Sequence, residues 1–173
     1  MTSVPIYEDS RVDELTWYVW DDTEFDFVSV GVREPAESPH RSIIASVGGV
    51  AVQRVTFEAG TVVAVRYFEV EDLDEAVAWH IRAYPNVYGD VWGVFKDSVD
   101  GCSRDGIAVA QASLLKRTER LDAKGDLVAE AWYSIDGRDL LEMKEYEYGD
   151  DGELSATLLY GRGGVLIDRY EED

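Results

Sequence analysis

Apolar and polar residues alternate with a period of two along most of this chain. Leu15, Trp17 and Val19 oppose Thr16, Tyr18 and Trp20, and the run Phe25–Val32 carries apolar residues on both faces. Alternation of this kind predicts strands, and apolar residues on both faces point to a bulge or to burial on both sides. Asp21, Asp22, Thr23 and Glu24 lie between these two runs and read as a hairpin turn. Two further runs, 43–47 and 50–57, flank Gly48-Gly49, a second hairpin signal. The most β-branched stretch of the chain follows at 61–70.

The period changes once. Leu73, Val77, Ile81 and Tyr84 recur at helical spacing, with Ala76, His80 and Ala83 flanking them. Asp72 precedes the run and Glu75 completes a capping box, while Pro85 ends it. The pattern predicts one helix over 72–84. Residues 90–95 read as a short strand. The Asp, Ser and Gly content of 96–106 reads as a long loop.

In the last third, turn glycines fall at Gly125, Gly137, Gly152 and Gly164, spaced by 12, 15 and 12 residues. The runs between them alternate, which predicts an antiparallel meander. Here Glu147-Tyr148-Gly149-Asp150-Asp151-Gly152 and Leu159-Tyr160-Gly161 resemble the tyrosine–aspartate (YD/RHS) repeat pattern over about residues 120–170. The resemblance implies a shared hairpin grammar, a strand ending in Tyr followed by a Gly turn, and it transfers no functional residue.

The expected fold is therefore a single α+β domain spanning 1–173, mostly antiparallel β. It is a twisted meander or half-barrel of about nine to ten strands with one packed helix. Leu73, Val77, Ile81, Val63, Val65, Leu127, Leu158 and Ile167 are the expected core.

Composition narrows the function. Thirty-six carboxylates against sixteen Lys and Arg give a formal charge of −20, on a chain that is 46% hydrophobic. The apolar fraction is enough to build a core, so the charge lies on a folded surface and sets up a negative field. Such a field draws basic partners and repels phosphate backbones, which argues against direct nucleic-acid binding. The single cysteine, Cys102, precludes an intrachain disulfide. The N-terminus shows no signal-peptide pattern, and no apolar run is long enough to span a bilayer. A cytoplasmic protein with no membrane attachment is expected; the sequence gives no handle on oligomeric state.

Catalytic and metal motifs are weak. Two histidines forty residues apart and one cysteine fall short of a zinc set. The 97–106 segment lacks the ligand order of a calcium loop, so neither metal nor cofactor is expected. Cys102 sits between carboxylates that oppose its ionisation. Two function classes remain. The first is a non-enzymatic module that occludes a basic protein, as an immunity protein or an inhibitor of a nucleic-acid-handling enzyme does. Asp21, Asp22, Glu24 and Asp26 would mimic phosphates and Trp20 would supply an apolar anchor. The second is a metal-free enzyme or binder with an aromatic-lined pocket formed by His80, Tyr84, Trp17 and Trp132, in which a buried His could act as a base.

Overall fold

The computed structural model describes residues 4–7, 11–21, 26–35, 38–110 and 113–171, with residues 20, 21, 26 and 27 described by backbone alone. The described chain is mostly antiparallel β with one α-helix. It contains thirteen strands rather than nine to ten, and the chain divides into two compact units.

The first unit comprises 1–92 and 109–111. Its strands are β1 (Glu14–Asp21), β2 (Asp26–Gly31), β3 (His40–Val47), β4 (Val50–Glu58), β5 (Thr61–Val70) and β6 (Tyr88–Gly93). They lie in the order β6-β5-β4-β3-β1-β2, and the pairings β1–β2, β1–β3, β3–β4 and β4–β5 are antiparallel. Among the described residues β2 pairs only with β1, so the ladder is open at that edge. Trp17, Ile43, Val55 and Val65 are successive register partners and are all buried, which fixes one face of the sheet as the core.

Helix α1 (Leu73–Ala83) starts as the capping box requires. The Asp72 carboxylate accepts a hydrogen bond from the Glu75 backbone N–H at 2.9 Å. Its buried positions are Ala76, Val77 and His80. The expected stripe is therefore rotated: Ile81 is 49% exposed, and the flanking residue His80 sits on the buried face. Residues 73, 76, 77, 80 and 84 form the closer match to a period of 3.6.

The second unit comprises 93–108 and 112–173. The segment read as a loop is instead strand: β7 (Lys96–Ser98) pairs antiparallel with β8 (Gly101–Ala110). Its polar residues misled because a strand exposed along its whole length needs no apolar alternation. The meander follows through β9 (Ser113–Asp122), β10 (Leu127–Ser134), β11 (Leu140–Tyr148), β12 (Leu154–Tyr160) and β13 (Leu166–Glu171), each antiparallel to the next.

All four expected turn glycines have positive φ, from 71° to 95°. Each donates its N–H to the carbonyl three residues back, at Asp122, Ser134, Gly149 and Gly161. That geometry is the three-residue hairpin loop, a turn followed by a left-handed residue that only glycine adopts without strain.

This unit buries small residues, Ala108, Ala131 and Ala156 among them. Its expected core members differ: Ile167 is 65% exposed, while Leu127 and Leu158 are half-buried. β13 pairs only with β12 among the described residues, so Ile167 has no strand beyond it to cover it. Among the described residues neither edge strand, β2 nor β13, pairs with a further strand, so the sheet is open.

Candidate functional site

The acidic turn lies at the end of the edge hairpin β1–β2. The register pairs Trp20 with Phe27 and Asp21 with Asp26. Two aspartates are thus direct register partners along the backbone ladder. Asp22 and Glu24 lie outside the described residues, and of Trp20, Asp21 and Asp26 only the backbone is placed.

Other carboxylates named by the charge have local partners. Glu119 pairs with Arg104 at 2.7 Å, and the Arg104 guanidinium lies over Phe95. Glu130 accepts from the Tyr146 hydroxyl at 2.7 Å and Glu145 from the Tyr160 hydroxyl at 2.8 Å. Glu147 pairs with Arg169 at 2.9 Å. Asp122 and Asp136 sit in turns, where hydrogen bonds hold their carboxyls below the usual range. The leading donor is the backbone N–H of Asp126 for Asp122, and the Ser134 hydroxyl for Asp136. These groups serve the fold.

The residues of the aromatic-pocket reading are brought together only in part. His80 and Tyr84 do meet, their rings stacked at 5.8 Å between centroids. Trp17 lies instead against Phe57, with the Arg41 guanidinium over both rings. Trp132 belongs to the second unit, between Arg117 and Lys144.

His80 has no solvent exposure. Its Nε2 lies 3.0 Å from the Val87 carbonyl oxygen, which can only accept, so Nε2 carries the proton. Nδ1 then accepts from the Tyr67 hydroxyl at 2.8 Å. Burial lowers the His80 pKa, with the Val87 bond opposing it, so the ring is neutral near pH 7. Burial also pushes the Tyr67 and Tyr84 phenols well above their ordinary range. Tyr84 donates its hydroxyl to the Pro5 carbonyl, which also accepts from Gln53 Nε2 at 3.1 Å. Gln53 Oε1 in turn accepts the Tyr7 N–H at 2.6 Å. The cluster ties the N-terminal segment, β4, β5 and α1 together. Both imidazole nitrogens are engaged by protein atoms, an arrangement suited to holding the core rather than to moving protons.

One polar constellation was missed from the sequence. Arg54 of β4 and Arg66 of β5 are direct register partners on the face opposite Val55 and Val65. Asp90 of β6 accepts from Arg66 Nε at 2.8 Å. The signal available was the hairpin itself: counting back from a turn at Ala59-Gly60 sets 54 opposite 66 once the bulge at 56/57 is allowed for.

Among the described residues no cluster of three or more His, Cys, Asp or Glu is placed to hold a metal ion, and no helix is long and apolar enough to cross a membrane. Comparison with protein families, with curated proteins and with solved structures found no match to this chain.

Proposed function

We propose that this chain is an acidic, non-enzymatic protein-binding module that occludes a basic partner, in the manner of an immunity protein or of an inhibitor of a nucleic-acid-handling enzyme. The tip of the β1–β2 hairpin is its contact site. Asp21, Asp22, Glu24 and Asp26 mimic phosphates there, and Trp20 anchors them. The proposed setting is the reducing cytoplasm, with Cys102 a free thiol.

The observation that carries this reading is the Asp21–Asp26 register pair. It sets two acidic positions on one rung of the hairpin. A cationic partner would meet both together, and the surrounding −20 charge would steer its approach. The alternative, a metal-free enzyme or binder built around His80 and Tyr84, draws little support from a ring with no exposure and both nitrogens engaged.

The test is affinity capture from lysate at low salt with the wild-type chain and with a variant carrying Asp21→Lys, Asp22→Lys, Glu24→Lys and Asp26→Lys. A basic protein held by the wild type and lost by the variant supports the reading. Equal capture by both removes the hairpin tip as the site.

A further inference from the structure

We propose that the hollow between the β10–β11 turn and the β12–β13 loop binds a free α-amino acid with an apolar side chain. Arg162 takes its carboxylate, Asp139 its ammonium, and Leu140 and Leu141 its side chain. The hollow measures about 550 Å³, within the roughly 300–1,000 Å³ of small-molecule sites. Arg138 to Leu141 form one side of its lining and Arg162 to Gly164 the other, all in the second unit.

Three observations converge. First, the two sides are set against each other. Gly163 and Gly164 have φ of 71° and 75°, and a Cβ added at Gly164 would lie 4.0 Å from Leu140 Cδ2. The loop therefore turns close to the start of β11 with two residues that bring no side chain into the hollow. Second, the charges can be counted. Arg138 Nε stands 3.6 Å from Asp136 Oδ2, and Asp136 lies outside the lining and offsets that guanidinium. Arg162 and Asp139 are exposed, and among the described residues neither side chain makes a hydrogen bond or an ion pair. The lining thus offers one unmatched cation and one unmatched anion that do not pair with each other. Third, apolar surface lies beside them. Leu140 and Leu141 are both half-buried, so each keeps area that a ligand can cover.

This set of groups selects a class of ligand. A guanidinium fork matches a carboxylate, and a carboxylate accepts from the three donors of an ammonium. A simple fatty acid leaves Asp139 unmatched, and a simple amine leaves Arg162 unmatched. A molecule with both charges and an apolar group meets all three. No bond is made or broken. The inference rests on the second unit alone and is independent of the hairpin-tip reading.

The experiment is an amide NMR titration of the full chain with L-leucine at pH 7 and constant ionic strength. Parallel titrations use isocaproate, which lacks the ammonium, and isoamylamine, which lacks the carboxylate. Saturable shifts confined to the neighbourhood of residues 138–141 and 162–164 are expected with leucine. Each analogue should bind at least roughly threefold more weakly, the loss of one charge pair at a solvent-facing position. Asp139→Asn and Arg162→Gln should weaken leucine binding by a similar factor. Should a variant unfold, the analogue series on the wild-type chain decides by itself. Leucine shifts that grow linearly without saturating, or that centre elsewhere, would overturn the assignment. So would isocaproate or isoamylamine binding as tightly as leucine, or leucine binding unchanged in the folded variants.

Discussion

Removing one hydroxyl tests whether His80 is a structural group. In Tyr67→Phe the ring stays and only Oη is lost. His80 Nδ1, 2.8 Å from that oxygen, is left as an acceptor with no exposure to water. A buried hydrogen bond has a modest net value, but an orphaned buried polar atom costs its full desolvation, about 1–3 kcal/mol. The edge-to-face contact of the Tyr67 and His80 rings, at 5.6 Å, survives the change and offsets nothing. The expected loss is therefore about 2 kcal/mol. With a urea m-value of about 2 kcal/mol/M for a domain of this size, the midpoint falls by about 1 M. Equilibrium urea unfolding near pH 8, followed by tryptophan fluorescence, reads it directly. A loss under about 0.5 kcal/mol with unchanged m would mean that Nδ1 does not depend on Tyr67. The ring would then be available for chemistry, and the pocket reading would regain its main support.

Three further outcomes follow from named contacts. Burial lowers the folded-state pKa of His80 below the 6.5 of a free imidazole, so the unfolded chain takes up the proton first as pH falls. His80's contribution is complete above about pH 6.5 and is lost below it, with a slope of at most about 1.4 kcal/mol per pH unit. The difference in stability between wild type and His80→Gln should shrink as pH drops from about 7.5 to about 5.5; a pH-independent difference would exclude a depressed pKa. In Gly89→Ala the new Cβ would lie 2.7 Å from His80 Nε2 in a ring fixed at both ends, so the variant should lose about 1–3 kcal/mol in thermal or urea unfolding; wild-type stability would show that the ring can move. Arg104→Met should cost about 2–3 kcal/mol, because it leaves the largely buried Glu119 carboxylate without its ion pair; an unchanged midpoint would show that solvent already reaches Glu119.

Period and punctuation carried most of the fold. The four C-terminal glycines marked turns because a three-residue hairpin loop requires a left-handed residue at that point, and only glycine takes it freely. Asp72 and Glu75 marked the helix start because a cap is a local event. The failures came where tertiary context decides. Lys96–Ser98 forms a strand without apolar alternation, because a fully exposed strand has no core face to advertise. Ile81 points outward and His80 inward, because the Tyr67 hydroxyl and the Val87 carbonyl offer an imidazole two partners in the core. No local rule foretells that exchange. The acidic hairpin was legible as a turn, and its charge as a surplus. The facing of Asp21 and Asp26 required the register. Arg54, Arg66 and Asp90 come from three strands, and their meeting required the order of those strands as well.

The central claim is that carboxylates at the β1–β2 tip capture a cationic protein. Its most direct measurement is the association rate of the captured partner by stopped flow, across a series of salt concentrations, for wild type and the four-Lys variant. The wild-type rate is expected to fall steeply as salt rises, and the variant to be at least roughly tenfold slower at low salt, with the two converging at high salt. Equal rates at every ionic strength would contradict that claim, and would leave the charge of this chain as a property of its surface alone.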